Sequence, residues 1–186
     1  CQHFYAKYRG LTVGRTASLF EDGDAQPMTI DDEGPNGFPS LTLFTAYWEQ
    51  KFTGHLSGAI GIDAPTASIT PGTTATQVNQ RIPAIPLYLQ YAWHGGDSHV
   101  RLSGIFRPIQ YRDLVDEANK TEAGYGIQLS GISAIAGGLG ASLSGAYGRG
   151  IGTYLQDDNG LGLDAVATAV PGKISTVRSL GLTAGL

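Results

Sequence analysis

The sequence predicts an all-β protein, an antiparallel up-and-down transmembrane β-barrel. Three observations predict it. Apolar and polar residues alternate with period two over many segments, while no segment carries a sustained i, i+3, i+4 apolar stripe. Tight glycine-marked turns at Arg9-Gly10, Thr53-Gly54, His94-Gly95-Gly96-Asp97 and Ala136-Gly137-Gly138 alternate with long polar stretches at 20–39, 64–81, 113–122 and 156–178. One end of the sheet would then carry short turns and the other long loops, as in an outer-membrane barrel. Several of the alternating segments also exceed the roughly 5–6 residues of a soluble strand and approach the roughly 9–11 that a tilted bilayer crossing needs.

The elements follow in order from period-two alternation between turn residues. Residues 2–9 set Phe4, Ala6 and Tyr8 against His3, Tyr5, Lys7 and Arg9. A second strand over 11–19 returns with Leu11 and Val13, and a long third covers 40–52, with Trp48 and Phe52 on one side. After Thr53-Gly54, the residues Leu56, Gly58, Ile60 and Ile62 share a face against His55, Ser57, Gly61 and Asp63. The segment 85–94 sets Ile85, Leu87, Leu89, Tyr91 and Trp93 against Tyr88, Gln90, Ala92 and His94. Its partner over 98–111 sets Val100, Leu102, Gly104 and Phe106 against His99, Arg101, Ser103 and Arg107. A further hairpin opposes Tyr125, Ile127 and Leu129 to Gln128 and Ser130, then Leu139, Ala141, Leu143 and Tyr147 to Ser142 and Ser144. A last strand begins near 180 with Leu180, Leu182, Ala184 and Leu186 on one face. These make about eight or nine strands.

Composition agrees. The 186 residues fit part of a single barrel domain, 1–186. The 27 glycines follow no G-X-Y period, so collagen is excluded, and the spread of Leu, Ile, Tyr and Phe argues against disorder. No run of about 18 apolar residues exists, so a membrane role must come from strands. Cys1 is the one cysteine, which excludes an intrachain disulfide. A lone N-terminal cysteine would suit a processed lipoprotein, but strand-like sequence starts at once, without a polar tether. No signal segment precedes it, and Gly181 to Leu186 stops in mid-alternation, so both ends read as severed.

One face of the strands holds Leu, Ile, Val, Phe, Tyr and Trp, and the other Ser, Thr, Gln, Gly, His, Lys and Arg. A soluble sandwich shows the same division, with the apolar face turned to a second sheet. Strand length, loop rhythm and aromatics near strand ends (Tyr91 and Trp93, Trp48 and Phe52) favour a barrel with an interfacial girdle. Arg101 and Arg107 share the polar face of their strand, with Arg112 just beyond, and a guanidinium there suits carboxylates. The residues expected to line a pore are Arg15, Arg101, Arg107 and Arg149. Strict alternation turns Arg15 and Arg149 outward, so they face inward only across a bulge or strand end.

Residues 20–39 form a long acidic loop expected to fold into the pore. It holds Glu21, Asp22, Asp24, Asp31, Asp32 and Glu33, six of the 16 acidic residues, and no Lys or Arg. The remaining ten carboxylates face 12 basic residues, so the net charge of −4 is local to this loop and identifies no partner. Its spacing does not fit an EF-hand, and no metal is assigned to it.

Gly14-Arg15-Thr16-Ala17-Ser18-Leu19-Phe20-Glu21-Asp22, followed by Pro27-Met28-Thr29-Ile30-Asp31-Asp32-Glu33-Gly34-Pro35-Asn36-Gly37, resembles the DcaP-like porins of Gram-negative outer membranes. That family reads G-Q-T-W-S-x-F, then an acidic loop, then D-x-E-G-P-x-G. Here Arg15 stands in place of Gln and Ala17 in place of Trp. The resemblance implies a homotrimer of 16-stranded barrels in the outer membrane, passing small anionic, dicarboxylate-like solutes. It also implies that this chain is about half of such a barrel, without the signal sequence, the first strands and the closing aromatic-terminated strand.

No catalytic constellation stands out, so no enzyme and no cofactor is expected. His3, His55, His94 and His99 lack zinc-site spacing, and Ser130-Gly131, Ser142 and Ser144 form no nucleophile elbow. Asp113, Asp116, Glu117 and Glu122 read as an acidic surface loop. Gly124-Tyr125-Gly126 and Gly148-Arg149-Gly150 open no helix that could bind phosphate, and no basic stripe suggests nucleic acid. The expected function is passive diffusion through an arginine-lined lumen. The alternative is a soluble extracellular β-sandwich serving as an adhesin or glycan-binding module, with Trp93 or Tyr111 on its binding surface.

Overall fold

Strands run back and forth in one antiparallel meander whose two faces differ in exposure and in residue character. The computed structural model describes residues 3–30, 34–135 and 139–186. The strands are β1 (Phe4–Tyr8), β2 (Leu11–Ala17), β3 (Thr42–Lys51), β4 (Leu56–Asp63), β5 (Ile69–Thr70), β6 (Ala75–Gln77), β7 (Ile85–Trp93), β8 (Ser98–Asp113), β9 (Ala118–Ala134), β10 (Gly140–Arg149), β11 (Ala165–Ala167), β12 (Ile174–Thr176) and β13 (Arg178–Gly185). The main sheet has the order β1-β2-β3-β4-β7-β8-β9-β10-β13, with β6 added to the end of β8. A small sheet, β12-β11-β5, is built from the long connections. Among the described residues, β1 and β13 are the edges of the main sheet.

Alternation sets the faces, as the pleat of a strand requires. On β8, Val100, Leu102 and Phe106 point to one side and are 42–49% exposed. Ser103, Ile105, Arg107 and Ile109 point to the other and are buried. The register continues this division: Phe106 pairs with Ile85 and Tyr125, and Tyr147 with Ile127 and Leu180. The exposed apolar side is called the outward face here, and the opposite side the inward face.

The connections at one end are tight and those at the other mostly long. The β2–β3, β4–β7 and β10–β13 connections fold back over the inward face. Two apolar clusters hold them there. Phe20, Ala84, Leu155, Tyr154 and Ile151 from the connections pack with Ile105 and Ala146 of the sheet. Ile69, Ala165 and Ile174 pack on Ile109, Tyr111 and Ala75. Gly37, at φ 75°, lies so close to Gly181 of β13 that a Cβ on Gly181 would strike its carbonyl oxygen. Glycine at 181 therefore lets the β2–β3 connection lie directly on the sheet.

The expected strands are present, with three differences. The stretch 113–122 is no long loop: β8 and β9 run 16 and 17 residues and meet in a four-residue turn, 114–117. Asp113 closes that turn, accepting from the Val115 amide and from Lys120, which also reaches Asp116 at 2.6 Å. These carboxylates hold the hairpin rather than forming a free acidic loop. The long connections also contain β5, β6, β11 and β12, whose two or three residues are too short for alternation to register. The inward face is not polar throughout, because Ile105, Ile109 and Tyr111 anchor the inserted connections. Cys1 and the turn Ala136-Gly137-Gly138 lie outside the described residues.

Candidate functional site

The inward face leaves an open groove where the inserted connections stop. Its wall is built from inward positions of neighbouring strands: Tyr47 and Glu49 of β3, Tyr88 of β7 and Arg101 of β8, with Glu21 and Asp24 of the β2–β3 connection opposite. This cleft is about 220 Å3. A second polar hollow of about 350 Å3 shares Glu49 and continues past Lys51, Ser57 and Gln90 toward the tight-turn end. Lys7 reaches Glu49 at 3.1 Å across β2.

Arg101 is the cation of the cleft. Its guanidinium stacks 3.7 Å from the centroid of the Tyr88 ring and donates from Nη2 to the Leu19 carbonyl at 2.9 Å. Its Nη1 lies 3.8 Å from Asp22. Stacking and hydrogen bonding fix the plane of the fork, which a lysine could not reproduce.

Asp22 fastens the loop to the wall. Its carboxylate accepts from Nε2 of His99, at 3.0 Å to Oδ2, and from the Ser130 hydroxyl. All three residues are buried. Burial alone would raise the Asp22 pKa, but the hydrogen bonds from His99 and Ser130 and the nearby Arg101 charge outweigh it and hold the carboxyl below its ordinary range. Glu21, one residue earlier, behaves in the opposite way. Burial pushes its carboxyl up to about 7, against the Leu41 amide that donates to it at 3.1 Å and the charge of Arg101.

A second network stabilises the connections from beneath. Arg107 forms a two-pronged pair with Asp164 and also donates to the carbonyls of Gly150 and Thr66, both at 2.6 Å. Asp164 further accepts from the amides of Thr153 and Ser68. Nearby, Asp63 of β4 accepts from Ser18 at 2.6 Å and Tyr154 at 3.1 Å, so one carboxylate joins two connections.

The anticipated pore residues therefore separate into three groups. Arg101 borders the groove. Arg107 faces inward but is 1% exposed, enclosed by Asp164 and two carbonyls, so its charge is internally compensated. Arg15 and Arg149 stand on the outward face: no bulge interrupts β2 or β10, and Arg15 lies in register with Phe4 and Phe44, and Arg149 with Tyr125 and Arg178. Of the loop carboxylates, Glu21, Asp22 and Asp24 lie on the inward side, whereas Asp31, Asp32 and Glu33 fall outside the described residues. His99, Ser130, Tyr88, Glu49 and Asp164 complete the arrangement. The inward parity of His99, Ser130, Tyr88 and Glu49 was readable in the strands, but Asp164 lies in a connection, and Asp22, the shared partner of His99 and Ser130, comes from another one distant in sequence.

The sequence matches no protein-family model and no curated protein. Among solved structures, the fold is similar to the outer membrane channel DcaP of Acinetobacter baumannii, with a TM-score of 0.77 over 97% of this chain at 14% identity. The likeness is one of fold. The chain spans 49% of that channel's length, so the nine-strand meander with its inserted connections corresponds to about half of it.

Proposed function

We propose that this chain forms part of the wall of an outer-membrane diffusion pore of the porin type. One observation carries the reading. The outward positions of the nine main-sheet strands expose a band of large apolar side chains, among them Phe44, Trp48, Ile60, Leu87, Leu102, Phe106, Ile127, Leu143 and Leu180, while the inward positions border a polar groove beside the inserted connections. Soluble proteins rarely expose so continuous an apolar surface, whereas a barrel wall turns it to lipid. Similarity in fold to an outer membrane channel supports the same conclusion. A soluble sandwich would need a second sheet over the apolar face. Among the described residues the small β12-β11-β5 sheet packs on the inward side instead.

The groove would act sterically and electrostatically. Arg101 opposite Glu21 and Asp24 sets up a transverse field at the narrow point, a common way for a pore to sort small charged solutes. Arg101 keeps its charge at all relevant pH values, while Glu21 takes up a proton near neutrality. In this reading Arg101, rather than a row of four arginines, is the group that attracts small anions such as dicarboxylates, and protonation of Glu21 weakens the opposing negative field of the loop. A homotrimer embedded in outer-membrane lipid belongs to the same proposal.

Conductance in planar bilayers, with a reversal-potential measurement across a salt gradient, tests it. Stepwise channels with a modest anion preference are expected. A protein that stays monodisperse without detergent and forms no channels would overturn the reading.

A further inference from the structure

We infer that Arg149 and Arg178 form a binding site for the phosphate of a lipid headgroup, on the outward face at the end carrying the long connections. The inference rests on the membrane-spanning reading above. Outward positions of the nine long strands carry no Asp, Glu, Lys or His, yet they carry four arginines: Arg15, Arg112, Arg149 and Arg178. All four lie at or near the strand end that leads into the long-connection side. A merely solvated rim would mix acids and lysines with them. The outward face instead ends on one charge type and one side chain.

Arg149 and Arg178 are the focus because they are directly opposed in the β10–β13 ladder. Like charges in that position repel, and among the described residues no outward position of a main-sheet strand carries a carboxylate to relieve them. Neither side chain makes an ion pair or hydrogen bond among the described residues. The neighbouring outward pair is Tyr147 with Leu180, both exposed and apolar, and Tyr125 lies beside Arg149 in register. The two guanidinium groups thus stand at the border of the apolar band, on Cα atoms about 5 Å apart. Two adjacent forks can share the oxygens of one phosphate, and a bound anion removes their mutual repulsion. A free phosphate would meet the same two forks, but only a lipid also covers the apolar side chains next to them. Arg15, between Phe4 and Phe44, repeats the placement on β2.

The detergent-purified protein, mixed with a bisphosphorylated glycolipid or with its dephosphorylated form, is examined by native mass spectrometry, with inorganic phosphate alone as a third arm. Retention of the phosphorylated glycolipid is expected, and the Arg149→Gln/Arg178→Gln variant should lower it about tenfold while leaving single-channel conductance unchanged. Equal retention of the two glycolipids by the unaltered protein overturns the inference whether or not the variant folds. So does unchanged retention by the variant, or binding of inorganic phosphate alone with no preference for the phosphorylated lipid. Loss of the pore-forming reading is recognised separately, by the absence of channels from the unaltered protein.

Discussion

Arg107 and Asp164 face each other side-on, Nη1 to Oδ1 at 2.7 Å and Nη2 to Oδ2 at 3.1 Å, with both side chains closed off from solvent. They come from a central strand and from the connection that follows β10. Their union fixes how far that connection descends over the inward face. Removing one partner strands a buried charge, so Asp164→Ala should destabilise the protein by about 3–5 kcal/mol. Thermal unfolding in detergent micelles, followed by circular dichroism, measures this. A variant that melts with the unaltered protein would show that the pair is not a structural clamp.

Asp22 holds the β2–β3 connection through His99 and Ser130. Asp22→Ala removes the carboxylate that accepts from both donors and leaves Arg101 without its nearest carboxylate. The connection should then swing away from the wall, giving a larger and noisier single-channel current. Ser130→Ala, which removes one donor, should act in the same direction and less strongly. Unchanged current in both variants would mean that the remaining ties, the packing of Phe20 and the hydrogen bonds of Ser18 to Asp63 and of Arg101 to the Leu19 carbonyl, suffice to hold the connection.

Arg101→Gln should lower the anion-to-cation permeability ratio, because it deletes the guanidinium that borders the groove while retaining a polar side chain. Arg15→Gln, on the outward face, should leave that ratio untouched. Reversal potentials at neutral pH compare the two directly. Equal effects of both substitutions would return Arg15 to the lumen.

Much of this arrangement is legible in the sequence, and the reason is the pleat. Alternation in a strand reports the side on which a residue stands, so Val100, Leu102 and Phe106 separate from His99, Arg101 and Arg107 without any structure. The same rule turns Arg15 and Arg149 outward. Alternation does not report what covers a face. Ile105 and Ile109 break the polar pattern because connections pack on them, and nothing local announces Asp164 as the partner of Arg107, 57 residues away. Nor does it mark where a strand ends when polar residues continue it, which is why 113–122 reads as a loop although β8 and β9 run through most of it.

Glu21 should make the pore respond to pH near neutrality. Burial raises its carboxyl from the usual range to about 7, more than the Leu41 amide and Arg101 lower it. A raised folded pKa means that the folded state binds the proton more tightly than the unfolded chain. The resulting stabilisation is complete below the ordinary value near 4.5 and is lost as pH rises through about 7. The protein should therefore lose some thermal stability on going from pH 5 to pH 8. Over the same interval the groove gains a negative charge beside Arg101, so anion preference should fall as pH rises. Glu21→Gln should remove both steps, leaving a pore whose selectivity at pH 8 matches that of the unaltered protein at pH 5. If the selectivity step persists in that variant, another group in the groove carries it, and the assignment to Glu21 is wrong.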